Sequence, residues 1–405
     1  MKKVKLLVAA MLMAVTLGLP AKAVFAAAIS LTQADFTEAC ATPGTETAKG
    51  VYCDDAQHFY SLKAGSYTLG SDLTLLEGYF LTLDKAGDYN IDLNNHKITG
   101  KSETGELLLI ENTDKNTTIA NGGIFSETES YAISIKGVKT TLSSVVLSAP
   151  YVAISSLPID EKVADITLND VATNSALQLS GGKLTVNGGS FVATGMGAAA
   201  YLYNVSALVN GGIFSADGAS AMYYESEGES TLTIIDGTFV SEGDNGIEFS
   251  GGNLSIAGGS FTGRKSGINL AHYDGVILSG GTYKYTGTGD EGFGAIAIFG
   301  EDDPTLFTGF LADNYRYSVG TASKKSYYTI DYVALTSRTD SVVSTAEPTP
   351  EEESSSSDSS IGAPDSGRST KESASATTSA LATLLASSVI LGGIYAGKKA
   401  LAKKA

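Results

Sequence analysis

The chain has 405 residues, with 46 Gly, 8 Pro, 20 Tyr, 14 Phe and no Trp, and a formal charge of −17. That length supports one large domain or two ordinary ones, and the balance of small, β-branched and aromatic residues points to strands and tight turns rather than a helical bundle. The acidity excludes nucleic acid as a partner, because its phosphates would be repelled, and leaves a chain that can attract cations.

Residues 1–26 read as a secretory signal peptide: Lys2, Lys3 and Lys5 precede the apolar run LLVAAMLMAVTLGL, and small residues close it at AKAVFA. Cleavage is expected after Ala23 or Ala26, and the lack of Cys there argues against a lipid anchor. Residues 27–65 are expected to form an N-terminal cap. Within it ISLTQADFTEACA (29–41) reads as a short helix with Thr32 as N-cap, placed over the apolar end of the fold as the terminal unit of a solenoid requires. The two cysteines, Cys40 and Cys53, lie 13 positions apart and are expected to pair in an oxidising compartment.

Residues 66–335 are dominated by a returning phrase. LTVNGGSF (184–191) recurs as ALVNGGIF (207–214), LTIIDGTF (232–239), LSIAGGSF (254–261) and VILSGGTY (276–283), with TIANGGIF (118–125) upstream. The closing aromatics are Phe191, Phe214, Phe239, Phe261 and Tyr283, at intervals of 23, 25, 22 and 22, and Phe125 precedes Phe191 by 66. A second series, small–apolar–x–apolar, alternates with the first: AISI (132–135), AISS (153–156), ALQL (176–179), AYLY (200–203), AMYY (221–224), GIEF (246–249), GINL (267–270) and AIAI (295–298). Each unit of about 22 residues therefore holds two short strands of period two, with Gly-Gly or Asp-Gly marking a tight turn at the end of the second strand. A period in the twenties built of strands predicts an all-β fold, a right-handed parallel β-helix (solenoid) of roughly ten coils, about 45–50 Å long at ~4.8 Å per stacked strand. The phrase is then mainly architectural. Leu184, Leu232 and Leu254, with Val186, Val209, Ile234, Ile256 and Leu278, should form inward ladders, and Asn187 and Asn210 should stack in one register. The Tyr-rich end, including SYYTIDYVAL (326–335), reads as a closing cap.

Residues 336–379 are rich in Ser, Glu and Pro and read as a disordered, extended linker. Residues 380–397 carry no charge and read as a transmembrane helix at the short end of the usual range; the lysine-rich tail, 398–405, is expected on the cytoplasmic side. With the signal and the tail set aside, 19 basic residues face 44 acidic ones, a formal charge of −25 on the exported portion.

The order of short helix, YTLGSDLTL, DYNIDLNNHKITG and then GG-x-F coils resembles the right-handed parallel β-helix surface proteins of bacteria, the adhesin-like proteins of the broad pectate-lyase-like fold group, over about 29–335. That group holds polysaccharide lyases, glycoside hydrolases and non-catalytic adhesins, so the resemblance implies a fold more than an activity. APDSG (Ala363, Pro364, Asp365, Ser366, Gly367) is similar to a sortase cell-wall sorting signal, L-P-x-T-G, with Ala363 in place of Leu and Ser366 in place of Thr. It implies a sortase partner and cleavage between Ser366 and Gly367; the alternative is a turn in the linker, with the membrane helix as a permanent anchor.

Glycoside hydrolysis needs two carboxylates flanking the scissile bond. The outward position between the paired apolar residues reads Ser134, Ser155, Gln178, Leu202, Tyr223, Glu248, Asn269 and Ala297, with a single carboxylate. NTD (112–114) matches one short polygalacturonase motif, but its companion motifs are missing; His58, His96 and His272 form no metal-ligand pattern. No catalytic residue and no metal ligand is therefore assigned. GDEG (289–292) and EGDNG (242–246) offer oxygens to Ca²⁺ without an established ligand spacing. The best ligand surface is the stripe Tyr223, Glu248 and Asn269 with nearby His272 and Tyr273, suited to sugar rings and hydroxyls. The reading is an exported, C-terminally anchored, non-catalytic protein that contacts a glycan or a host or neighbouring cell surface; the alternative is a wall-associated polysaccharide lyase or glycoside hydrolase with a loop-borne site.

Overall fold

A computed structural model describes residues 28–103, 105–111, 115–127, 131–158, 162–287, 294–298, 309–312, 315–319 and 332–337. The chain divides after Asp340 into two units, and every described residue belongs to the first. The signal peptide, the sorting motif, GDEG, NTD, segment 380–397 and the tail lie outside the described residues, as does all of the linker beyond Ser337. Among the described residues no helix is long and apolar enough to cross a membrane.

The architecture is an all-β parallel solenoid of about nine turns, close to the number expected from the spacing. A 19-stranded sheet is built from the repeated phrase, and a 12-stranded sheet from the small–apolar–x–apolar series. Successive turns pair in parallel, as Lys183–Ala193 does with Ser206–Ala216. Alternation decides which side chains face in. In Leu184-Thr185-Val186 the first and third are buried and the second is half-exposed. Leu184, Val186, Val209, Leu232, Ile234, Leu254, Ile256 and Leu278 are all at most 1% exposed, as the inward ladders require.

The aromatics form a column of their own. Phe191, Phe214, Phe239, Phe261 and Tyr283 are fully buried, with ring centroids 4.7, 5.0, 5.0 and 4.9 Å apart in succession. That is the spacing of neighbouring strands, so the backbone repeat itself sets a favourable offset-stacking distance. Each such pair adds about 0.5–1.5 kcal/mol beyond burial.

Three local expectations change. First, the Gly pair does not always end a strand: Lys183–Ala193 runs through Gly188 and Gly189, which make a corner inside it. Gly189 has φ +115, and a Cβ there would run into the carbonyl oxygen of Val171 in the adjacent turn. Elsewhere the same corner separates two short strands, Thr231–Ile234 and Thr238–Ser241, so each turn carries three strand segments. Second, TIANGGIF is out of step with the later phrases by one residue. Asn121 itself takes a left-handed corner conformation, φ 59, and Ile124 pairs with Leu147, which pairs with Thr173 and then Phe191. Ile124 is therefore the buried residue, and Phe125 is half-buried on the outside. Third, Ile29–Leu31 is a strand pairing in parallel with Gly65–Leu69, not the start of the helix.

Helix α1 follows at Gln33–Ala41 with Thr32 as its N-cap. The Asp35 carboxylate accepts from the Thr32 backbone N–H at 2.7 Å and from its hydroxyl at 3.0 Å, closing the first turn. Phe36 packs edge-on against Tyr60, ring centroids 5.2 Å apart, which seats the helix over the first turn. A disulfide joins Cys40 of α1 to Cys53 of the strand Val51–Asp54. At the other end Thr282–Tyr285 pairs antiparallel with Tyr332–Ser337, which pairs antiparallel with Tyr315–Val319. The last strand thus runs two residues past the expected boundary at 335.

Candidate functional site

The outward column of the 12-stranded sheet runs, strand by strand, Gln178, Tyr201, Tyr223, Glu248, Asn269, Ala297. Tyr201, not Leu202, holds the position in its turn. The small–apolar–x–apolar phrase there begins at Ala199, because Ala200 pairs with Met222 in the inward column. Leu202 is fully buried, while Tyr201 is half-exposed. Two residues further along each strand stands a second outward column, Ser180, Tyr203, Glu225, Ser250. Upstream, Leu109, Ser134 and Ser155 of the first column are buried, so its accessible stretch begins near Gln178.

The tyrosines of this face stack on each other. Tyr201 and Tyr223 have ring centroids 5.1 Å apart and planes 8° from parallel. One face of each ring is covered by its partner, and the hydroxyls turn to carboxylates. Tyr201 donates to Glu225 Oε2 at 3.3 Å. The Tyr223 hydroxyl lies near Glu225 and Ser250, and that of Tyr203 near Glu227 and Asn204. Burial, followed by the charge of Glu225, holds the Tyr201 hydroxyl well above its ordinary range. Burial with the charges of Glu225 and Glu248 pushes that of Tyr223 up to about 12. All three hydroxyls therefore remain protonated donors across the physiological range.

Glu248 sits where the stripe meets the corner. Its Oε2 accepts from Ser220 Oγ at 3.3 Å and Asn245 Nδ2 at 3.4 Å. Burial, and then the neighbouring charge of Asp244, raises its carboxyl above the ordinary 4.5. Asp244 is paired with Lys265 at 3.1 Å. Asn245 is 2% exposed and accepts from Ser266 at 2.5 Å. Asp244 and Asn245 of EGDNG are thus engaged within the protein, Glu242 is exposed, and among the described residues no group of three or more His, Cys, Asp or Glu is placed to hold a metal.

Of the five stripe residues, the fold brings Tyr223, Glu248 and Asn269 into one register. His272 is exposed beyond the end of its strand, Ser266–Leu270. Tyr273 departs from the expected stripe: it is half-buried against the core, its ring 5.7 Å from that of Phe310. Tyr201, Tyr203 and Glu225 belong to the face and were not singled out by sequence. The signal for Tyr201 was the parity of AAYLY; for the second column it was the i+2 neighbour of each outward residue. No known protein family matches the chain, and no curated protein or solved structure is significantly similar to it.

Proposed function

We propose that the chain is a non-catalytic cell-surface protein that presents its solenoid for contact with a glycan. The single observation that carries this reading is the two-column face of stacked tyrosines, carboxylates and amides running from Gln178 to Asn269. Rigid strands hold these groups at a constant axial repeat, which suits a polymer with a repeat of its own. The export signal at 1–26, the Ser/Glu/Pro linker and the apolar segment 380–397 support display outside the membrane, and APDSG supports transfer to the cell wall by a sortase.

One observation favours a second reading, a wall-associated polysaccharide lyase or glycoside hydrolase. Burial and the neighbouring charge of Asp244 raise the Glu248 carboxyl above its ordinary value, the direction of shift that a general acid uses. A panel of polysaccharides incubated with the full chain, with and without Ca²⁺, separates the two readings when binding, new reducing ends and unsaturated products are recorded in the same samples. Binding without products that weakens in Tyr223→Ala is the expected result. Product formation would replace the binding reading with the enzymatic one.

A further inference from the structure

The tyrosine face differs in the sign of its charge from the lysine-bearing part of the 19-stranded sheet. Between Gln178 and Asn269 neither outward column carries a lysine, arginine or histidine. Lysines do stand on outward positions of the 19-stranded sheet, as at Lys139 and Lys183, with Asp165 paired between them. Within the tyrosine face the phenolic hydroxyls lie against carboxylates of the chain itself. The hydroxyls of Tyr201 and Tyr203 lie near Glu225 and Glu227, and that of Tyr223 near Glu225. The faces of Tyr201 and Tyr223 are partly closed by their mutual stacking, which limits the area on which a neutral sugar ring can lie. The charged side chains of the two columns are carboxylates alone, Glu225 and Glu248, set among neutral phenols and amides.

The complement of such a surface is a ligand of donors with positive charge. A primary ammonium group offers three donors and no acceptor; carboxylates attract it, and it can donate to them and to the neutral phenolic oxygens beside them. We infer that the occupant is a glycan bearing free amino groups, a polymer of de-N-acetylated amino sugar, lying along the solenoid axis with its ammonium groups against Glu225 and Glu248. This rests on the glycan-contact reading and narrows it: charge complementarity selects amino sugars over neutral ones.

The test uses the full chain and two hexasaccharides, a β-1,4-linked glucosamine hexamer and its fully N-acetylated counterpart, with hexalysine as a third ligand, at pH 6 in low salt. The glucosamine hexamer should bind about tenfold or more tightly than the N-acetylated one, with the difference shrinking in high salt. Glu225→Gln/Glu248→Gln should abolish the preference, as should the conservative surface change Glu227→Gln/Glu225→Gln if the first pair disturbs folding. Glu38→Gln/Asp217→Asn removes the same charge from exposed sites elsewhere and should leave the preference intact. Equal binding of both hexasaccharides would overturn the amino-sugar inference while sparing the glycan reading. Binding of neither would remove both. Hexalysine binding as tightly as the glucosamine hexamer, or a loss of preference in the Glu38/Asp217 variant, would reduce the effect to general attraction of polycations and overturn the inference.

Discussion

Asn210 donates its side-chain amide to the Asn187 carbonyl oxygen at 2.7 Å, one turn of the solenoid away. Asn187 repeats the contact onto Asn169 at 2.8 Å, and Asn169 onto Ser143 at 2.9 Å. The amides form a polar seam on the outer corner, in which Asn169 and Asn187 both give and receive along the axis. Asn187→Ala removes one bond on either side of its position and should cost about 1–2 kcal/mol, read as a lower urea midpoint at unchanged slope. A midpoint within error of the wild type would mean that water replaces the seam at no cost.

The one-residue offset of TIANGGIF makes a contrast that can be measured. Ile124 is fully buried and should lose about 2–5 kcal/mol on truncation to Ala. Phe125, larger but outward, should lose about 1 kcal/mol or less as Phe125→Ala. The opposite ranking by chemical denaturation would place the aromatic, and not Ile124, in the core column.

Phe214 lies in the middle of the aromatic column, stacked on both sides. Phe214→Ala should cost about 3–5 kcal/mol, whereas Phe214→Leu, which refills most of the volume, should recover more than half of it. Equal losses for the two would show that ring stacking outweighs cavity formation here.

The Cys40–Cys53 bridge closes a loop with a sequence separation of 13. Removing it as Cys40→Ser/Cys53→Ser should cost about 3 kcal/mol on the chain-entropy account. Because solenoid turns depend chiefly on their neighbours, hydrogen exchange should quicken in α1 and the first strands and leave the turns around Phe239 unchanged. Uniform acceleration along the chain would show instead that the cap and the turns unfold together.

Glu248 contributes a pH dependence of definite sign. Its folded carboxyl titrates above the ordinary 4.5, so the folded state holds the proton more tightly than the unfolded one. Stability should fall as pH rises from 4.5 through the folded value. Glu248→Gln keeps an acceptor oxygen for Ser220 and removes the titration. The variant should match the wild type near pH 4 and exceed it at pH 7 in thermal midpoint. A constant difference at both values would assign the effect to packing.

The solenoid was legible because its period and its inward ladders are written directly as Leu, Val and Ile every second residue, and as an aromatic about every 22. Register within a turn was less so. In AAYLY two alanines in succession left the starting point ambiguous, and only the strand pairing of Ala200 with Met222 assigns Tyr201 to the outside. TIANGGIF was misleading because Asn121 can adopt the left-handed conformation that Gly188 supplies in LTVNGGSF, so identical letters stand one position apart in space. Ile29–Leu31 is too short for a period of its own, and its pairing with Gly65–Leu69 depends on residues far along the chain. The tyrosine face was legible in part. AMYY places Tyr223 outward and Tyr224 inward, whereas the ambiguous start of AAYLY hid Tyr201, and Tyr203 and Glu225 stand in the second column, two residues further along.

A stack of like turns is a template that, left open, can be extended by any chain offering a parallel strand. Tyr332–Ser337 lies on Thr282–Tyr285 in the reverse direction. An arriving turn would meet a hydrogen-bond pattern of the wrong polarity at that edge, and at the other end α1 and its disulfide occupy the place where a preceding turn would dock. The protein is in effect an oligomer of its own repeats, with chain stoppers written into the same gene product. Its length is counted by the sequence and is independent of concentration.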